Sequence, residues 1–164
     1  MDFKLAKPEN IDEIHKLISS ATNTMIKQNI YQWDEVYPNR KIIEEDVNNQ
    51  QLYYSTIDDE IAVIFTLNKE CDEGYNNGEW QYSDNNFCVI HRLCVKPEFQ
   101  NIGLAKKAMS FIENKAKEMD VTSIRLDAFS ENPAALGLYD GLGYKVAGYA
   151  YWRKGKFLLM EKLI

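Results

Sequence analysis

The segment Val95-Lys96-Pro97-Glu98-Phe99-Gln100-Asn101-Ile102-Gly103-Leu104-Ala105-Lys106 is the part of this chain whose spacing points most directly to chemistry. An apolar strand ends there, a short polar loop follows, and a long helix begins with Gly103 and Ala105 near its first turn. The first amides of a helix have no intrahelical partner, and the helix dipole adds partial positive charge at that end. Small residues let a phosphate approach the backbone closely, so the arrangement suits an anion cradle. It lacks the Gly-Lys-Ser/Thr of a P-loop and the full Gly-x-Gly-x-x-Gly of a dinucleotide fold. On spacing alone, a loop that only turns the chain fits equally well.

The elements that must position this loop follow from hydrophobic periodicity. Phe3 to Ala6 alternates as a short first strand, and Pro8-Glu9-Asn10 introduces a helix. Its buried face is Ile11, Ile14, Leu17, Ile18, Ala21 and Met25. Tyr31 to Arg40 breaks the period, with a turn at Pro38-Asn39, and Lys41 to Asn48 reads as a second helix. Leu52 to Ile57 and Ile61 to Leu67 are strands around a tight turn at Asp58-Asp59-Glu60. The polar stretch Asn68 to Asn86 is either a long hairpin or an active-site loop. Phe87 to Val95 is a strand, Leu104 to Met119 an amphipathic helix, and Ser123 to Phe129 another strand. Asn132-Pro133 caps and opens a further helix that stops at Leu142-Gly143. Tyr144 to Tyr151 and Phe157 to Leu163 close the chain as two strands around Lys154-Gly155. These elements predict one α/β domain over 1–164, with a right-handed parallel strand–helix–strand unit at 87–129.

Composition narrows the classes. The 164 residues, 45% hydrophobic and 27% charged, describe a globular chain long enough to bury a core. A formal net charge of −6 argues against a general nucleic-acid partner, which needs surplus Lys and Arg. The charge is unevenly divided: residues 1–90 carry 7 basic and 17 acidic side chains, and residues 91–164 carry 12 basic and 8 acidic ones. Apolar runs such as Ile61 to Phe65 are far too short to span a membrane, and Met1-Asp2-Phe3-Lys4 opens without an apolar signal core. Cys71, Cys88 and Cys94 form neither a disulfide framework nor a zinc pattern, and only His15 and His91 are available as imidazole ligands. The expectation is a cytoplasmic protein with reduced thiols and no metal.

Gln100-x-x-Gly103-x-Ala105, preceded by Leu93-Cys94-Val95-x-Pro97, resembles the Q/R-x-x-G-x-G/A signature of the GNAT superfamily of N-acetyltransferases. Downstream, Asn132-Pro133-Ala134-Ala135-Leu136-Gly137-Leu138-Tyr139, followed by Gly143-Tyr144, resembles the second block of that family, N-x-x-A-x-x-L-Y-x-x-x-G-F/Y. The two blocks stand in the expected order across 88–150, and linked motifs are more specific than either alone. The resemblance implies a mixed α/β fold. Its strongly twisted central sheet has about six or seven strands, flanked by about four helices, with the parallel fourth and fifth strands splayed.

It also implies acetyl-CoA as acyl donor. The Leu93-Cys94-Val95 segment would bind the pantetheine and acetyl carbonyl, chiefly through the backbones of Leu93 and Val95. The loop Gln100, Asn101, Ile102, Gly103, Leu104, Ala105 and Lys106 would hold the pyrophosphate. Asn132 matches the asparagine that contacts the pantetheine, and Tyr139 matches the tyrosine that protonates the leaving thiolate. A phenol near pKa 10 suits that task when held close to the sulfur. The base is open, because Val89 occupies the position where some members carry Glu. His91, two residues further along the strand, is a candidate directly or through water, and so is a water chain alone. Cys94 raises the alternative of an acyl-enzyme, but no Cys-His-Asp/Asn arrangement lies beside it, and direct transfer is preferred.

The acceptor side in this fold corresponds to Tyr31 to Arg40, Asn68 to Asn86 and Tyr149 to Lys156. Trp33, Glu35, Tyr37 and Trp80 are candidate substrate residues, since aromatic walls beside carboxylates suit a cationic amine. A polyamine, amino sugar, free amino acid or peptide N-terminus all fit. The other readings are a protein N-acetyltransferase and a non-catalytic acyl-CoA-binding module, and a homodimer fits the family.

Overall fold

The computed structural model describes residues 1–82 and 84–164, so Ser83, within the expected 68–86 stretch, lies outside the described residues. Seven strands and four helices follow one another as β1 (Lys4–Leu5), α1 (Ile11–Lys27), α2 (Arg40–Asn48), β2 (Leu52–Ile57), β3 (Glu60–Asn68), β4 (Phe87–Val95), α3 (Leu104–Glu118), β5 (Ser123–Phe129), α4 (Pro133–Gly141), β6 (Lys145–Trp152) and β7 (Gly155–Leu163). The strands form one mixed sheet in the order β1-β2-β3-β4-β5-β7-β6. Only β4 with β5 is parallel among the described pairings, and the crossover between them is α3, as a parallel pair requires. Their shared register covers Phe87–Ile90 against Ser123–Leu126, while β4 continues to Val95 and β5 to Phe129. The sequence reading of a mixed α/β sheet with a parallel fourth and fifth strand holds.

Two compact units can be distinguished. The first comprises Met1–Leu67 and Arg92–Phe111. Here β2 pairs antiparallel with both β1 and β3, with an irregularity at Ser55/Thr56. The i, i+3, i+4 spacing of α1 buries Ile11, Ile14, Leu17, Ile18 and Ala21 together with Ile43 and Val47 of α2, Leu52 of β2, and Ile61 and Ile64 of β3. Phe3, Tyr53, Phe65 and Phe111 make a separate aromatic group with centroid spacings of 4.9–6.1 Å. Because β3 is buried along Ile61 to Leu67, it reads as a continuous apolar run instead of an alternating one. A local signal fixes the start of α2, where the Asn39 side chain accepts from Ile42 N at 3.0 Å, while Glu13 of α1 reaches across to β3 and accepts from Ile61 N at 2.7 Å.

The second unit comprises Asn68–His91 and Ile112–Ile164. Seven residue pairs join β5 to β7, and β6 pairs with β7 through an irregularity between Val146 and Gly148. Among the described residues, the polar stretch after β3 forms no hairpin strand. It forms a short 3-10 turn at Glu73–Asn77 whose Tyr75 packs with Val89, Ala150 and Leu159, flanked by Trp80, Phe87 and Trp152. Trp152 Nε1 donates to Asp72 and Trp80 Nε1 donates to the Tyr75 carbonyl, both at 2.9 Å. Gly148 lets this segment approach β6, since a Cβ there would lie 2.8 Å from the Asn77 carbonyl oxygen.

Candidate active site

In the first unit, β4 ends at Val95 and the chain passes through one 3-10 turn, Pro97–Phe99, into the segment before α3. Lys96 N donates to the Ala62 carbonyl at 2.8 Å, and the Gln100 side chain donates back to the Val95 carbonyl at 3.3 Å. Asn101 and Gly103 then adopt left-handed φ values of 63° and 84°. Glycine is suited to such a φ, and a Cβ on Gly103 would meet nothing within 4 Å, so the side facing it is open. The first helical bond runs from Lys107 N to the Gly103 carbonyl at 3.1 Å. The amides of Leu104, Ala105 and Lys106 therefore precede the helical ladder, at the positive end of the 15-residue α3. Leu104 is buried and anchors the turn, whereas Asn101, Ile102, Gly103 and Lys106 are exposed. This is the geometry expected of an anion cradle.

Cys94 lies in the core of the same unit, and burial pushes its thiol up to about 12. A thiol so held is a poor nucleophile, because the reactive species is the thiolate. Next to it, Arg92 interrupts β4 with a φ of 54°. Its guanidinium donates to both oxygens of Asp46 at 2.8 and 2.7 Å and to the Tyr37 hydroxyl at 2.9 Å. Asp46 also accepts from Thr66 Oγ1 at 2.8 Å. Burial opposes the charge on Arg92, but Tyr37 and Asp46 outweigh it and raise its pKa. Tyr37 is thus tied to the strand beside Leu93 and Val95. Glu35 is exposed on the same loop, whereas Trp33 sits in the core with α1 and α2.

In the second unit, Asn132 caps α4, its Oδ1 accepting from Ala135 N at 3.1 Å, with Pro133 at the first helical position. The helix ends at Gly141, and Tyr144 N returns to the Tyr139 carbonyl at 3.0 Å. Tyr139 is buried, its ring edge-on to Tyr144 at 5.9 Å. Burial first, and the Asp127 carboxylate second, raise its pKa well above the ordinary phenol value, so it holds its proton at neutral pH. Asp127 itself accepts from the Tyr75 hydroxyl at 2.8 Å. His91 Nε2 faces two acceptors, Asn68 Oδ1 at 2.9 Å and the Glu70 carbonyl at 3.2 Å. A carbonyl oxygen can only accept, so in the contact with Glu70 the Nε2 atom is the donor. Trp80 stacks on Tyr75 with centroids 5.7 Å apart and an Arg125 guanidinium 4.3 Å over its ring.

Sequence reasoning passed over Asp127, Tyr75, Arg92 and Asp46. Asp127 had a signal, as the one acidic residue in the apolar strand Ser123–Phe129. Arg92 had another, a charged residue in mid-strand. The partners Tyr75 and Asp46 lie 52 and 46 positions away in sequence, so no local pattern marks them. Among the described residues no group of His, Cys, Asp or Glu could hold a metal ion, and no helix is long and apolar enough to cross a membrane.

Residues 26–144 match the family model described as the acetyltransferase (GNAT) family. No curated protein matches the sequence. Among solved structures, a GNAT-family acetyltransferase from Streptococcus agalactiae is 24% identical, with a TM-score of 0.84 over 99% of this chain and 95% of that one. The ribosomal-protein-S18-alanine N-acetyltransferase of Escherichia coli is 13% identical, with a TM-score of 0.73 over 99% and 93%. The PaiA N-acetyltransferase of Thermoplasma acidophilum, in complex with coenzyme A, is 16% identical, with a TM-score of 0.71 over 99% and 98%.

Proposed function

Since the chain belongs to the acetyltransferase (GNAT) family, we propose that residues 1–164 act as one catalytic domain transferring acetyl directly from acetyl-CoA to the primary amine of a small, cationic acceptor. The observation that carries this reading is the start of α3. There, left-handed Gly103 leaves an open side and presents the amides of Leu104, Ala105 and Lys106 ahead of the helical ladder. A pyrophosphate fits such a group of donors. Lys106 adds charge, and the backbones of Leu93 and Val95 serve the pantetheine and acetyl carbonyl. Asn132, at the cap of α4, meets the pantetheine.

Chemistry needs a neutral amine at the thioester and a proton for the leaving thiolate. Tyr139 holds a proton at neutral pH and supplies it to the sulfur. The acidity of residues 1–90, together with Glu35 and Tyr37 on one loop, supports a cationic acceptor. Trp33 and Trp80 contribute as packed walls. Thiol release from acetyl-CoA, measured across a panel of diamines, amino sugars, amino acids and short peptides, tests the reading. The expected result is turnover confined to small cationic amines. Turnover of peptides alone would replace it with a protein-directed transferase, and acetyl-CoA binding without release by any amine would leave a binding module.

A further inference from the structure

Within the first unit, Arg92 is unusual in both its backbone and its side chain. It stands inside β4 with a φ of 54°, a left-handed value that a residue bearing a Cβ adopts only where its surroundings over-determine it. If the strand needed that turn alone, glycine would supply it without strain. The chain carries an arginine there instead. Its Nε and Nη2 donate to the two oxygens of Asp46 at 2.8 and 2.7 Å, and its Nη1 donates to the Tyr37 hydroxyl at 2.9 Å. Thr66 Oγ1 donates to the same carboxylate at 2.8 Å. A planar guanidinium holds both partners in fixed directions, which the single ammonium of a lysine cannot do.

The Tyr37 end of this network is a closed loop. Asp34 Oδ1 accepts from Val36 N at 3.0 Å and from Tyr37 N at 3.2 Å, and Asp34 N donates to the Tyr37 carbonyl at 3.0 Å. Asn39 donates from Nδ2 to the Val36 carbonyl at 3.2 Å while its Oδ1 caps α2. Glu35, Val36 and Tyr37 form the exposed face of the loop. The Tyr37 hydroxyl ties that face to β4 one residue before Leu93. Because Asp46 engages the guanidinium through both oxygens, the tie adds no net positive charge beside Glu35. A buried ion pair is often no more stabilising than apolar side chains of the same size, so stability alone is a poor account of this one.

We propose that Arg92 is a positioning residue for acceptor choice: with Asp46 it forms an internally neutral brace that holds the Glu35–Tyr37 face in place to receive the distal ammonium of a diamine. The inference rests on the transferase reading above and deepens it. The Glu35 carboxylate supplies opposite charge, and the Tyr37 ring supplies a flat surface that attracts a cation. The other amino group of the diamine is the one acetylated. Neither Arg92 nor Asp46 touches the substrate; both act through Tyr37.

The test compares 1,4-diaminobutane with 1-aminobutane, which lacks the distal charge, at saturating acetyl-CoA. The proteins are wild type, Tyr37→Phe and the double variant Arg92→Met/Asp46→Leu. The quantity read is the ratio of kcat/KM for the two amines, which does not depend on how much of a variant is folded. Wild type should prefer the diamine by more than about tenfold. Tyr37→Phe should reduce that preference by about three- to tenfold, through KM for the diamine more than through kcat. The double variant should bring the ratio to within about threefold of one, with its urea midpoint near that of wild type. Its acetyl-CoA affinity by calorimetry should be kept. Either variant retaining the wild-type ratio, or a wild type with no preference between the amines, would overturn the inference alone. If the double variant does not fold, the Tyr37→Phe ratio decides. A wild type that binds acetyl-CoA and acetylates neither amine overturns the small-amine reading, and this inference with it.

Discussion

The Tyr75 hydroxyl donates to Asp127 at 2.8 Å, joining a 3-10 turn to the strand β5 across 52 positions of sequence. The contact ties the turn Glu73–Asn77 to the sheet. Two tryptophan side chains, hydrogen-bonded at 2.9 Å to Tyr75 and Asp72, hold the turn in place.

The start of α3 can be tested with two substitutions. Gly103→Ala meets no neighbour within 4 Å but inherits a φ of 84°, so its cost is backbone strain of about 1–2 kcal/mol. Urea unfolding measures that cost. Gly103→Glu brings a negative charge to the same place, and should weaken acetyl-CoA binding by more than about tenfold, or 1.4 kcal/mol, by calorimetry. Equal affinities for Gly103→Glu and wild type would remove the cradle.

Tyr139 links pH to both activity and stability. With its pKa raised, it stays protonated through the neutral and mildly alkaline range, so its ionisation should produce no alkaline loss of kcat below about pH 10. The sign for stability runs the other way at high pH. The folded pKa lies above the unfolded one, so the contribution is complete below about pH 10 and is lost as pH rises past it. Tyr144, raised by burial first and by the Glu113 charge next, acts in the same sense. Urea midpoints for wild type should hold steady up to about pH 10, the usual phenol pKa, and fall as pH rises beyond it, and Tyr139→Phe should reduce the slope. Tyr139→Phe should also lower kcat by about 10²–10⁴-fold while acetyl-CoA affinity is kept.

The pair Arg92–Asp46 is nearly sealed from solvent, with side chains 10% and 8% exposed. Removing one partner strands the other charge, so Arg92→Ala or Asp46→Ala should each cost about 3–5 kcal/mol in chemical denaturation. The double replacement should cost less than the sum of the singles. Strict additivity would show that the two charges do not depend on each other.

Thiol chemistry separates the three cysteines. Burial raises all three thiols, Cys88 and Cys94 to about 12, but Cys71 is exposed where the other two are buried. Iodoacetamide should therefore modify Cys71 in the folded protein and all three after unfolding, as read by mass spectrometry. Cys94→Ser should retain transfer, and loss of an acetylated-enzyme intermediate in that variant would instead support a covalent route.

Much of this was legible from local pattern. The face of α1, the cap formed by Asn132 and the glycine at 103 each declare themselves within a few residues, because helix periodicity and capping are short-range effects. The parallel pairing of β4 and β5 followed from a strand–helix–strand order that admits few alternatives. Long-range polar contacts left no such trace. Nothing around Asp46 announces Arg92, and nothing around Trp33 announces that its ring packs into the core with α1 and α2. Types and spacing report periodicity; they do not report which side chains meet from distant elements.

The uneven charge along the chain yields a further expectation. If a cationic acceptor is drawn by the acidic residues 1–90, kcat/KM for it should fall as salt rises, since screening shortens the reach of those charges to about 10 Å at 0.1 M. A neutral acceptor should show no such decline.

The most direct test of the central claim is an acceptor-dependent acetyl balance: acetyl-CoA consumed, thiol released and acetylated amine formed, measured in one reaction with small cationic amines. The account predicts equal amounts of thiol and N-acetyl product, no acetylated protein, and a rate that collapses in Tyr139→Phe. Thiol release without N-acetyl product, or product formed at the wild-type rate by Tyr139→Phe, would contradict it.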